Sequence, residues 1–470
     1  MGLIDMDWKT RTRTLVGAHQ NTWNPCICIQ GGGAKGAWEA GVLSGLLNNR
    51  STANPVAVFG TSAGALNAMW ASTMPWENGT RKLLDNWHHL AMLVSATVIF
   101  VPAFLFSLLI GVIVYSGSPS VLVFGASFIL AFTLWASLTV LMLETFSGWG
   151  LIYAGIFSCC TAAIVLFALG HQWVALLPLL PLLLCALALA DVWVLCFFVR
   201  WWAPWGRLPG IFSIPWLSRR LPLPEVPARF PVYMCTANVN LNEVPVEWDW
   251  NTLGVFRLER GQTSPNLITQ PPDVRYDLRT AAMCSAALPM LCRPYAVGNR
   301  QFLDGGMEAN LPAGFIRSQG LLGGRCVICI IPHPVELLDP HEHVQYRTVR
   351  FLYDIQQEQA SHRARLAGTP PGVATTAPGH TNYPVLIVSP RQELESGLMN
   401  GFLRPHILPG EFDAGLEAAS NLTHAMEAFL DGDANALDPY LLDHRQLPTL
   451  PPTVPRPECW ALWTNPRWLQ

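Results

Sequence analysis

The residues best suited to chemistry in this chain are Ser62, set in Gly60-Thr61-Ser62-Ala63-Gly64, and Asp304, set in Asp304-Gly305-Gly306. A serine flanked by such small residues suits the apex of a sharp turn, where a larger side chain would clash across the turn. At a helix start its oxygen faces unpaired N–H groups and the positive end of the helix dipole, which favour an oxyanion. The chemistry that fits is nucleophilic attack on a carbonyl. G-x-S-x-G also arises by chance, so the pentapeptide alone leaves an ordinary Gly-rich turn open.

Neighbouring elements must hold that serine. Val56-Ala57-Val58-Phe59 is apolar and strand-like, and an Ala-rich helical pattern starts at the Ser62 turn. Upstream, Cys26-Ile27-Cys28-Ile29-Gln30 is a second buried strand. It runs into Gly31-Gly32-Gly33-Ala34-Lys35-Gly36 and a helical pattern ending near Asn49. The order is strand, Gly loop, helix, strand, serine turn, helix. A right-handed crossover between neighbouring parallel strands brings both loops to the same carboxyl edge of a sheet. Glycines there let backbone N–H groups point unobstructed at a bound oxygen, as an oxyanion hole beside a serine requires. Gly31, Gly33 and Gly36 also satisfy G-x-G-x-x-G, but the acid that would bind a ribose is missing. No Asp or Glu lies between Glu39 and Glu77. A P-loop is excluded as well, because Ala37-Trp38 follow Gly36 in place of Lys-Ser/Thr.

Serine needs a base. Arg300-Gln301-Phe302-Leu303 is a strand-like run that delivers Asp304 to a strand end, with Gly305 and Gly306 leaving it unobstructed. Asp-Gly is a common turn pair and weak by itself. In combination, the Gly loop, the serine turn, the small-residue block Ala282-Met283-Cys284-Ser285-Ala286-Ala287-Leu288-Pro289 and Asp304-Gly305-Gly306 resemble the patatin-like phospholipase family, in the same order. The resemblance covers roughly residues 24–90 and 228–432. It implies an α/β fold with a three-layer α/β/α hydrolase domain. Ser62 is then the nucleophile and Asp304 its partner in a Ser–Asp dyad. The N–H groups of Gly32, Gly33 and Ala34, within the Gly31–Gly36 loop, would hold the oxyanion. The implied reaction is ester hydrolysis of membrane lipids through an acyl-enzyme, without cofactor or metal. For Asp304 to act as a base it must be desolvated enough to raise its pKa. The family usually has Arg where this chain has Lys35, which keeps the charge but loses the planar fork. A Ser-Asp-His triad remains open, since His333, His341, His343, His362 and His380 follow Asp304. So do an acyltransferase using the same acyl-enzyme and a membrane scaffold with a vestigial hydrolase domain.

Composition supplies the other half of the reading. The 470-residue chain is 51% apolar and only 13% charged, against about 25% charged in soluble chains. From Leu90 to Val199 the only Asp, Glu, Lys, Arg or His residues are Glu144, His171 and Asp191. Four membrane spans are expected: Leu90–Tyr115, Val121–Leu143, Trp149–Leu169 and Val174–Val199. An even count returns the chain to its starting side, which lets the two parts of the catalytic domain meet. Arg81 and Lys82 before the spans, and Arg200, Arg207, Arg219 and Arg220 after them, put both flanks in the cytoplasm by the positive-inside rule. Asp191 is read as an interfacial acid near Arg200.

The expected organisation is an N-terminal arm (1–23), a first catalytic part (24–89), a four-helix transmembrane insertion (90–202), a Pro/Trp/Arg-rich interfacial linker (203–230), a second catalytic part (231–432) and a Pro-rich tail (433–470). Pro231–Val239, Arg325–Ile331 and Tyr383–Ser389 read as further strands, and Tyr346–Leu366 and Phe412–Leu430 as amphipathic helices. Residues 1–20 carry no signal-peptide pattern. Most of the 12 cysteines sit in apolar strands or spans, and they read as reduced thiols. Cys326 and Cys329 would face opposite sides of a strand, which argues against zinc. His341-Glu342-His343 reads as a solvated loop. A net charge of −3 and only three lysines leave no basic stripe for nucleic acid. The expected partners are membrane lipids and the bilayer, and the expected setting is a bacterial inner membrane with the catalytic domain cytoplasmic.

Overall fold

The computed structural model describes residues 23–75, 79–95, 210–222, 225–240, 253–268, 276–288, 290–297, 300–306, 310–312, 326–338, 340–341, 348–350, 352, 385–397, 400–433, 435–441, 448–449 and 451. The chain divides into two compact units. One comprises Met1–Trp87, Gly210–Leu398 and Ile407–Gln470, the other His88–Pro209 and Met399–His406.

The first unit is built on a mixed sheet. Its first strand, β1 (Cys26–Ile29), leads into a 3-10 turn (Gly33–Lys35) and helix α1 (Gly36–Asn48). Next come β2 (Ala57–Thr61), α2 (Ala63–Thr73) and α3 (Gly79–Ser95). After residue 209 the described strands are β3 (Gly210–Ser213), β4 (Val232–Asn240), β5 (Leu253–Leu258) and β6 (Asn266–Leu267). Helix α4 (Leu278–Ser285) precedes β7 (Met290–Arg293), β8 (Tyr295–Val297) and β9 (Arg300–Asp304). The last strands are β10 (Val327–Ile330) and β11 (Val385–Val388), and the long α5 (Leu408–Asp431) follows.

In the sheet the order is β11-β10-β1-β2-β4-β5-β6, with β9 also on β4 and β8 on β9. From β11 to β4 every pairing is parallel, whereas β5 and β9 run antiparallel to β4. The fully apolar strands Cys-Ile-Cys-Ile and Val-Ile-Cys-Ile are buried along their whole length, as central parallel strands must be. One face packs Cys28, Phe59, Tyr233, Cys235 and Cys329 against Val349 and Leu352, and Phe59 stacks on Tyr233 with centroids 4.3 Å apart. On the other face lie α1 and α2. There Gly64 of α2 approaches Ile29 so closely that a Cβ would sit 2.7 Å from the Ile29 carbonyl oxygen. Helix α1 in turn packs along α5, with Gly41 against the Phe412 carbonyl.

Strands β1, β2, β4, β9, β10 and β11 and helix α5 fall where the sequence places them, within one to four residues. Strand β5 has no counterpart in the sequence reading. The antiparallel turn of the sheet beyond β4 is likewise new. The first expected span needs a correction at its start, because Leu90–Ser95 closes α3, an amphipathic helix begun at Gly79. Leu90, Ala91 and Val94 are buried while Met92 is 59% exposed. Among the described residues no helix is long and apolar enough to cross a membrane. The other three spans, the rest of the first, Asp191, and most of the expected 346–366 helix and of the 433–470 tail lie outside the described residues.

Candidate active site

Strand register brings the two candidate residues together. Thr61, the last residue of β2, pairs with Cys235 of β4. Strand β4 continues past the end of β2, and its next residue, Thr236, pairs with Asp304 at the end of β9. Ser62 follows Thr61 directly, so its side chain emerges beside Asp304. The Ser62 hydroxyl donates to Oδ2 of Asp304 at 2.7 Å, across 242 residues of chain. Both residues are buried, at 6% and 3% exposure.

The turn at Ser62 is strained. Its φ of 54° and ψ of −121° are left-handed values that a residue with a Cβ rarely adopts. This swings the side chain off the end of β2 while α2 begins at the next residue, as in a strand–nucleophile–helix elbow. The flanking glycines are sterically required: a Cβ on Gly60 would collide with the Gly64 carbonyl.

Asp304 is held by two donors. Oδ2 accepts from Ser62, and Oδ1 accepts from the Gly306 N–H at 2.7 Å. Burial dominates over both and pushes its pKa up to about 6 from the ordinary 3.8. Such a carboxylate is ionised at neutral pH yet basic enough to take a proton.

The Gly loop lies alongside. Ile29 pairs with Gly60 in parallel register, so both loops leave the sheet at one edge. A Cβ on Gly31 would lie 2.8 Å from the Ser62 Cβ. Within the loop, the amide of Gly31 donates to the Asn310 carbonyl at 3.1 Å, and that of Lys35 to the Gly32 carbonyl at 3.2 Å. The Gly36 amide closes the 3-10 turn on Gly33 and Ala34. Among the described residues the amides of Gly32, Gly33 and Ala34 donate to no protein acceptor. Gly33 holds a φ of +58°, which needs glycine. The six-residue loop thereby narrows to three candidate oxyanion donors.

Lys35 is turned into the protein. Its ammonium is bonded to Glu393 and to Nδ1 of His333, the latter at 3.0 Å. Donation to Nδ1 leaves the imidazole proton on Nε2, and burial, with the Lys35 charge second, brings the His333 pKa down to about 4. His333 is thus engaged with Lys35 and Glu393, while the Ser62 hydroxyl donates to Asp304. His341 is exposed in a turn, and His343, His362 and His380 lie outside the described residues.

Sequence reasoning did not single out several residues that build this site. Asn310 lends its carbonyl to Gly31, and its side chain lies 3.0 Å from where a Gly306 Cβ would be. Asn67 bonds the Gly36 carbonyl at 2.9 Å and the buried Glu39 carboxyl at 3.2 Å, and accepts from Trp87 Nε1 at 2.8 Å. Burial raises the Glu39 pKa well above the usual carboxylate range. Asn67 falls at i+5 from Ser62 and Glu39 at i+3 from Gly36, spacings that carry no signal without the crossing of α1 and α2. The nearby Cys235 thiol is pushed up to about 12 by burial and stays protonated, which leaves it a poor nucleophile.

No curated protein matches this chain. Among solved structures it is similar to the crystal structure of VipD from Legionella pneumophila, at 14% identity and a TM-score of 0.31. That alignment covers 84% of this chain and 66% of the other, so the chain spans slightly less than two thirds of that protein's length. The family model described as patatin-like phospholipase matches residues 27–142 and 189–315, just over half of the chain and inclusive of the Gly loop, Ser62 and Asp304. By that match the chain belongs to the patatin-like phospholipase family, and its domain is a lipid acyl hydrolase domain.

Proposed function

We propose that this protein cleaves carboxylic esters of membrane lipids with a Ser62–Asp304 dyad and no histidine. The observation that carries the reading is the 2.7 Å hydrogen bond from Ser62 to Asp304 at a strained strand–helix elbow. In the first step Ser62 Oγ attacks the ester carbonyl as Asp304 takes the hydroxyl proton. The negative oxygen of the tetrahedral intermediate is held by the amides of Gly32, Gly33 and Ala34, each such donor being worth about 3–4 kcal/mol. The intermediate collapses, the alcohol leaves with the proton from Asp304, and an acyl-serine remains. Water then attacks the acyl-serine, Asp304 takes its proton, and the fatty acid departs as Ser62 regains its own.

The chain is also read as membrane-anchored. This rests on the 104 residues from Ala96 to Val199 with three ionisable groups of the Asp, Glu, Lys, Arg or His type, too few to present a wetted surface. Four spans from that segment would hold the enzyme to a bilayer, with the catalytic unit on the cytoplasmic side of a bacterial inner membrane. Trp216, with the Arg220 guanidinium 3.9 Å from its ring centroid, provides an amphipathic pair suited to an interface.

The test is fatty-acid release from phospholipid vesicles by the full-length protein, beside Ser62→Ala and Asp304→Ala. The reading requires release by the parent and its loss in both variants. Labelling of Ser62 by a fluorophosphonate without any release would sink the hydrolase assignment. Extraction of the chain from membranes by alkaline carbonate would sink the anchor.

A further inference from the structure

We propose that Ser285 is a positioning residue that locks the Ser62 backbone in its attack-ready conformation. The inference rests on Ser62 being the nucleophile. Ser285 is the last residue of α4, inside the small-residue block that the dyad itself does not use, and it is fully buried. Its Oγ accepts from the Ser62 N–H at 3.0 Å and donates to the carbonyl of Cys235 on β4. One oxygen therefore spans the end of β2 and the middle of β4, across the opening where the dyad forms.

The same segment grips the partner. The Ser285 carbonyl accepts from the Gly305 N–H, and the Ala287 carbonyl from the Asp304 N–H, each at 3.0 Å. Ser62 is held through the Ser285 side chain and Asp304-Gly305 through the backbone of residues 285–287. A single rigid stretch thus sets the distance between nucleophile and base.

Physical chemistry narrows what can stand at this position. The bridge needs one buried atom that both accepts and donates. Alanine leaves two buried backbone groups unsatisfied, and a thiol does both jobs weakly. Ser62 has a φ that a non-glycine residue keeps only when its surroundings over-determine it. Without the bridge the turn relaxes and Oγ shifts against Asp304 and the loop amides. A displacement of about 1 Å at such a centre costs about 100-fold in rate.

The experiment compares Ser285→Ala, Ser285→Thr, Ser62→Ala and Ser72→Ala in the full-length protein, using a soluble ester. Ser72 is an equally buried serine of α2 whose hydroxyl bonds the Phe230 carbonyl at 3.1 Å, so it controls for loss of a buried hydroxyl. Ser285→Ala is expected to lower kcat roughly 10- to 100-fold, with KM within about twofold. Fluorophosphonate labelling of Ser62 should slow in proportion. Ser285→Thr, which keeps the hydroxyl, recovers most of the rate, and Ser72→Ala keeps kcat. A folded Ser285→Ala with kcat near the parent's overturns the proposal, as does an equal loss in Ser72→Ala. Should Ser285→Ala not fold, Ser285→Cys fills the space with a weak hydrogen-bonding atom and must show the same loss. Residual turnover in Ser62→Ala would overturn the nucleophile assignment instead, so the two failures are told apart.

Discussion

Ser62 and Asp304 meet because one strand, β4, changes partners between them. Cys235 faces Thr61 of β2, and the next residue, Thr236, faces Asp304 of β9. The proposed dyad therefore sits where a parallel sheet turns antiparallel. There the carboxyl end of β9 arrives head-on at the carboxyl end of β2, and the carboxylate is left dry. That dryness raises the Asp304 pKa to about 6 and sets the first expectation.

Activity should rise with pH and level off above about 7. Asp304 must be ionised to take the Ser62 proton, so the ionised fraction follows its titration, with half-maximal kcat/KM near pH 6. The check is a pH–rate profile from pH 4 to 9 on a soluble ester. A midpoint near 4, the ordinary range of an exposed carboxyl, would refute the buried-base reading.

Stability should move the opposite way. Folding raises the Asp304 pKa from 3.8 to about 6, so the folded state binds this proton more tightly than the unfolded chain. Its contribution is fully present below pH 3.8 and is lost as pH rises through about 6, costing on the order of 3 kcal/mol above that. Asp304→Asn, which keeps the shape without the charge, is expected to be inactive yet more stable at pH 8 by about 1–3 kcal/mol. The advantage should vanish near pH 4. Thermal or denaturant unfolding at both pH values reads this directly.

Much of this arrangement was legible from residue order alone. Apolar Cys26–Ile29, which runs through Gln30 into three glycines, and Val56–Phe59, followed by Gly60, could hardly be other than strands feeding tight loops. Parallel pairing then forces those loops to one edge. The strand β5 was not legible: Leu253-Gly254-Val255-Phe256-Arg257-Leu258 carries an interior glycine and an arginine, which blur a core-strand pattern. Nor could the register that sets Thr236 against Asp304 be read, since a slip of one residue leaves the composition of both strands unchanged. The roles of Lys35, Ser285 and Asn310 depend on elements that are distant in sequence and adjacent only in the folded sheet.

Lys35 offers a third expectation, about substrate choice. A cation beside an oxyanion loop suggests a phosphate anchor, but its ammonium is committed to Glu393 and His333. Lys35→Met should therefore lower hydrolysis of a phospholipid and of an uncharged ester by the same factor. The ratio of the two kcat/KM values is expected to stay within about twofold of the parent's. His333 provides an independent signal: removal of the neighbouring positive charge should raise its pKa above about 4, with burial still holding it below the ordinary range, observable by NMR titration. A selective loss on the phospholipid would mean that Lys35 reaches the substrate.

The strain at Ser62 can be measured against function. At φ 54° and ψ −121° a Cβ is strained, and such a residue costs on the order of 1–3 kcal/mol. Ser62→Gly removes the proposed nucleophile and the strain together, whereas Ser62→Ala removes the hydroxyl and keeps the Cβ. Both are expected to lose at least about 10³-fold in turnover. They should differ in stability, with the glycine variant ahead by about 1–2 kcal/mol despite the greater entropy of its unfolded chain. A glycine variant less stable than the alanine variant by about 0.4–1 kcal/mol, the unfolded-chain entropy alone, would show that the elbow stores no strain. Ser285 would then be holding a turn that is already at rest, and the loss in Ser285→Ala would have to come from its other contacts.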